Sequence, residues 1–73
     1  MPEINSLRAL RLARGWTQPQ LAARSGVSER TIRDLEHGYV LARAPTRRRL
    51  LRALRYDWSR QAEVFGPLIG TKL

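Results

Sequence analysis

Apolar residues recur three and four positions apart from Leu7 to Phe65, the spacing of helices that each bury one face. Leu7, Leu10 and Ala13 or Arg14 form the first stripe. They predict a helix over about Leu7 to Arg14, capped by Asn5 or Ser6 and ended by Gly15. Leu21, Ala22, Val27, Ile32 and Leu35 form the second set, which two short helices must share. Thr17 with Gln20 makes a T-x-x-Q capping box, and Pro19 falls in the first turn, where its missing N–H costs nothing. Gly26 suits a helix end that needs positive φ, and Ser28 can cap a new helix almost at once. Val27 alone separates that stop from that start, so helices over about Gln18 to Ser25 and Ser28 or Glu29 to His37 meet steeply. Ala22 is small where they would cross. Gly38 ends the third helix.

The second half reads similarly. Tyr39 to Ala44 is a connection more apolar than solvated loops usually are, so Tyr39, Val40 and Leu41 either cover the core or join a subunit contact. Pro45 suits the first turn of a fourth helix running to about Arg55, with Leu50, Leu51 and Leu54 buried. Asp57 can cap a fifth, about Trp58 to Phe65, with Gly66-Pro67 as its stop. Trp58, Ala62 and Phe65 would share one face. Trp16 is read as a core residue between the first two helices rather than a stacking platform. The expectation is a compact, all-α, five-helix domain occupying residues 1–73. The first five residues read as a short arm without basic character.

Size and composition narrow the class. Seventy-three residues allow one domain with a small core, so extra burial through dimerisation is plausible. There is no Cys, which excludes disulfides, Cys-ligated zinc and thiol catalysis. No long apolar run or signal pattern is present, so a cytoplasmic protein without membrane contact is expected. The formal net charge is +8. A GC-rich genome would explain Arg in place of Lys, but not fourteen basic residues against six acidic. Such an excess implies a polyanionic partner, nucleic acid above all. The excess lies mainly after His37, outside the steep helix pair.

In register, Leu7-Arg8-x-Leu10-Arg11, Thr17-Gln18, Leu21-Ala22, Gly26-Val27-Ser28, Thr31-Ile32 and Glu36-x-Gly38 resemble the helix-turn-helix of the lambda-repressor/Cro family. The resemblance covers roughly Leu7 to Leu54 and places the motif at helices two and three, about residues 18–37. Two residues depart from it: Ser25 and Arg47 stand where the family usually carries apolar side chains.

The resemblance implies where DNA would be met. The second helix of the motif enters the major groove, and the base-reading positions fall on Ser28, Glu29, Arg30 and Asp34, with Arg33 near the groove wall. Arg30 can donate two bonds to guanine, and Glu29 or Asp34 can accept from cytosine. Glu29–Arg33 and Arg30–Asp34 are also i, i+4 pairs of opposite sign, so they can be surface ion pairs as well. Thr17 and Gln18 match the family's phosphate clamp at a helix N-terminus. Arg43, Arg47 and Arg48 lie where the family meets backbone again; their competing reading is a solvated charge run. Arg11 matches the position that pairs with the glutamate of the E-x-G element, here Glu36.

The function expected is sequence-specific binding of double-stranded DNA by a small Cro-like repressor, as a homodimer on a palindrome. The chain offers no room for a sensor domain, and no small-molecule ligand, cofactor or metal is expected. His37 stands alone, and nothing resembles a catalytic constellation. Residues 56–73 are the candidate dimerisation segment through Trp58, Phe65, Leu68 and Ile69, although the same residues can simply close the monomer core. An antitoxin that autoregulates its operon, or a recombination-directionality factor, would use the same reading head.

Overall fold

A computed structural model describes residues 5–66. Leu68 and Ile69, and the arm before Asn5, lie outside the described residues. Five α-helices follow one another: α1 Leu7–Ala13, α2 Gln18–Ser25, α3 Glu29–His37, α4 Ala44–Leu54 and α5 Gln61–Phe65. A single 3-10 turn, Trp58–Arg60, runs directly into α5. The core is Leu7, Leu21, Val27, Ile32, Leu35, Leu50, Leu51, Leu54 and Val64, drawn from every helix and the α2–α3 turn. No described helix is long and apolar enough to cross a membrane.

Local chemistry sets the helix ends. The Thr17 hydroxyl accepts from the Gln20 backbone N–H, and the Gln20 side chain accepts from the Thr17 N–H, completing the capping box. Gly26 and Gly38 end α2 and α3 at φ 76 and 78, conformations that cost a residue with a Cβ. Ser28 caps α3 by accepting from the Thr31 N–H. The start of α1 is less direct. Ser6 occupies the cap position without a side-chain bond, while the Asn5 side-chain Oδ1 accepts from the Leu7 N–H. The Asn5 amide also donates to the Leu35 carbonyl, joining the first helix to the third.

The Ser25 departure has a local cause. Its hydroxyl accepts from the Val27 N–H at 3.1 Å, satisfying a backbone group inside the turn that an apolar side chain would leave open.

Three expectations change. Tyr39, Val40 and Leu41 do not cover the core; they stand exposed, Tyr39 at 73 % and Leu41 at 71 %. The fifth helix buries Val64, not Ala62. The chain enters it through a 3-10 turn, which rotates about 20° more per residue than an α-helix and so shifts the buried face. Trp16 packs against the core but is only half-buried. Trp58 and Phe65 also pack on the core, serving the monomer.

Asp57 caps the 3-10 turn, accepting from the Ser59 N–H and hydroxyl. Those bonds, the hydroxyl's first, hold its carboxyl below the ordinary carboxylate range. A depressed carboxyl stabilises the fold above its unfolded pKa, and the contribution fades as pH falls through the folded value.

Candidate nucleic-acid interface

The sequence turns one face of α3 inward through Ile32 and Leu35, both buried. That fixes the opposite face. Glu29, Arg30 and Arg33 are exposed on it, and Asp34 is half-buried at its edge. Ser28 is exposed at the start of the helix, but its hydroxyl is engaged twice, accepting from the Thr31 N–H and donating to the Thr31 hydroxyl.

The two i, i+4 pairs divide. Arg33 lies 3.8 Å from Glu29, with both side chains about half exposed, so the pair is weak and screened. Arg30 and Asp34 do not pair; among the described residues Arg30 has no carboxylate within ion-pair distance. Arg30 is therefore a guanidinium in the first turn of an outward-facing helix, with its whole donor fork available.

Behind this face sits a network that holds it. Arg11 donates through Nε to one Glu36 oxygen at 2.7 Å and through Nη2 to the other at 3.0 Å. Its remaining nitrogen, Nη1, donates to the Trp16 carbonyl at 2.8 Å. Both side chains are buried, at 8 % and 3 % exposure. Hydrogen bonding to Glu36 raises the Arg11 pKa, burial opposes the rise, and the Glu36 charge adds to it. Arg11 thus stays charged throughout any usable pH range. Gln18 completes the network by donating to the same carboxylate at 3.1 Å.

That last bond is not evident from sequence. Gln18 matches a phosphate-clamp position, yet its amide is turned inward to Glu36. What α2 still offers at its start is backbone: Pro19 has no N–H, and the Thr17 and Gln20 N–H groups bond within the capping box. The Gln18 N–H is the first-turn donor left for an outside anion.

The three arginines about the start of α4 also separate. Arg43 is the exposed N-cap residue, without a side-chain capping bond. Arg48 is exposed and lies over the Trp58 ring at 4.4 Å. Arg47 is half-buried; it donates to Gln61 at 2.8 Å and to the Ala42 carbonyl, and stacks over Trp58. It binds the α3–α4 connection to α5, which accounts for a cation where an apolar residue is usual: the stem is covered and the fork is satisfied inside the protein. We expect Arg47→Ala to lower stability by about 1–2 kcal/mol while leaving the salt slope of DNA binding unchanged. Arg43→Ala should instead reduce that slope by about 1. A comparable slope change in Arg47→Ala would show that it reaches phosphate after all.

His37 stacks on Tyr39, ring centroids 5.1 Å apart, at the end of α3. Among the described residues no group of His, Asp or Glu could hold a metal ion.

An exposed helix, preceded across a glycine turn by a capped helix and clamped from behind, is the reading unit of a DNA-binding domain. Comparison with known families agrees. A helix-turn-helix family model matches residues 7–60, and the chain belongs to that family, of the lambda-repressor-like kind. It is accordingly a DNA-binding transcription regulator in general character. Neither a curated protein nor a solved structure gives a significant match.

Proposed function

We propose that this chain is a Cro-like repressor that binds a palindromic operator as a homodimer, with α3 in the major groove. The observation that carries the reading is the division of α3. Its inner face is locked into the core, and its outer face presents Arg30 at the N-terminal end, with no ion-pair partner among the described residues. Arg30 reads guanine through a bidentate bond; Glu29, Arg33 and Asp34 flank it, and Ser28 borders the groove from its capping position. The Gln18 N–H and Arg43 meet phosphate on either side, with Arg48 beyond them. Repression needs only occupancy of a promoter, which such a domain supplies.

Selection of bound sequences from a random DNA pool tests this. Enriched sites should be palindromic, contain G·C pairs, and place half-sites ~34 Å apart. With about two or three phosphates neutralised per subunit, log K should fall with log salt at a slope of about −2 to −3 per subunit. No enrichment at moderate salt would sink the specific-repressor reading.

The exposed Tyr39-Val40-Leu41 stretch favours one second reading, an antitoxin that grips a protein partner and represses its own operon. A co-purifying partner whose capture depends on this stretch, or on Phe65, Leu68 or Ile69, with weak DNA binding by the free chain, would decide for it.

A further inference from the structure

Away from α3, a second group of arginines surrounds an open cleft of about 510 Å³. Arg14, Arg24, Arg52 and Arg55 line it, with Trp16 at its wall. No carboxylate lines it, and none of the four arginines takes part in an ion pair among the described residues. We propose that this cleft binds a small anion carrying adjacent phosphates, either an inorganic polyphosphate or the phosphate chain of a nucleotide. The sequence predicts no such ligand, because its four arginines lie up to forty-one positions apart.

Helix-end electrostatics account for only part of this cluster. The last turns of α1, α2 and α4 converge here, and basic residues favour helix C-termini. Each terminus carries about half a negative charge. Three of them offset less than half of four guanidinium charges. The remainder is a concentrated positive site with no carboxylate partner among the described residues.

The site is also partly ordered in advance. Arg14 donates to the Leu10 carbonyl at 3.1 Å and the Leu54 carbonyl at 2.7 Å, which leaves further N–H groups free. Arg24 lies over the Trp16 ring at 4.6 Å, and Arg14 lies 5.9 Å from the same ring and 5.8 Å from that of Tyr56. Held guanidinium forks lose less freedom on binding and match phosphate oxygens two at a time. Arg55 ends α4 at φ 63, the one described non-glycine residue at positive φ. A side chain is thus kept where the neighbouring helix ends use glycine, in a backbone conformation that disfavours a Cβ.

The cleft is distinct from the DNA face proposed above. Arg24 is six residues along α2 from Gln18, about 9 Å by helical rise. Arg52 is nine residues along α4 from Arg43, about 13 Å. Both helices begin at the proposed phosphate contacts and end at the cleft.

Calorimetric titration of the full chain without DNA, at about 0.15 M salt, tests the proposal independently of any operator. Tripolyphosphate and a nucleoside triphosphate are the two probes. Saturable binding of one molecule per chain is expected, weakened about tenfold or more in the exposed pair Arg24→Gln/Arg52→Gln. The charge-matched control Arg8→Gln/Arg60→Gln, at exposed residues outside both the cleft and the DNA face, should keep the affinity, and thermal melts establish that both variants fold. Equal affinity for the two probes assigns recognition to the phosphate chain; tighter nucleotide binding adds the base to it. A Kd of about 1 mM or weaker for both probes, or equal losses in the two double variants, would overturn the site in favour of general charge attraction.

Discussion

Arg11→Ala is expected to destabilise the domain by about 3 kcal/mol, towards the lower end of the 3–5 kcal/mol range for breaking a buried ion pair. Glu36 is 3 % exposed, and without Arg11 it keeps one described partner, a neutral amide from Gln18. A carboxylate left so poorly compensated carries most of its desolvation penalty. The Trp16 carbonyl loses its donor as well. The lower end of the range applies because the domain is small and its interior lies close to water, which raises the effective dielectric. At about 4–8 °C per kcal/mol for a chain of this length, the melting temperature should fall by about 12–24 °C. The informative comparison is the double variant Arg11→Met/Glu36→Leu. Replacing both charges by apolar groups of similar volume is often neutral or stabilising. Recovery of most of the lost stability there would locate the loss in the abandoned carboxylate. A melting temperature unchanged in Arg11→Ala would show that the network adds nothing to the fold.

The helices are readable because each is announced by residues at fixed spacing, whereas the pairing of Arg11 with Glu36 is implied only by the family resemblance. The capping box, the glycines at 26 and 38, and the apolar stripes all specify local geometry. Less legible were choices that depend on which side chain arrives first at a shared acceptor. Gln18 could meet phosphate or Glu36, and tertiary placement turns it to Glu36. Arg47 could be solvated, but Trp58 and Gln61 come from a later element and capture it. The buried face of α5 was misplaced because periodicity assumes one helix type, while the chain changes from 3-10 to α after Arg60. The Arg14–Arg24–Arg52–Arg55 cleft left no local mark at all; only the convergence of three helix ends creates it.

The same geometry limits what α3 can do alone. Its outward charges nearly balance, and Glu29 already attends Arg33. On the proposed function, affinity therefore has to come largely from phosphate contacts outside α3, while sequence discrimination rests on very few side chains.

Arg30→Ala is accordingly expected to remove most of the specificity at one base pair in each half-site. A bidentate guanine contact is worth about 1–3 kcal/mol of discrimination. Lost from both half-sites of a dimer, that becomes about 2–6 kcal/mol, a weakening of roughly thirtyfold to more than ten-thousandfold on the preferred operator. The structure favours so large an effect because Arg30 is exposed and has no carboxylate within ion-pair distance among the described residues. Its fork need not break an internal bond to reach the base. Arg33→Ala should do less, since Arg33 shares its charge with Glu29. Binding measured at one salt concentration, on the selected operator and on variants of each base pair, separates the alternatives. Loss confined to one G·C position identifies direct readout. A uniform loss on every sequence, with the salt slope reduced by about 1, would make Arg30 a phosphate contact instead. Specificity would then have to be sought at Glu29, Arg33 and Asp34.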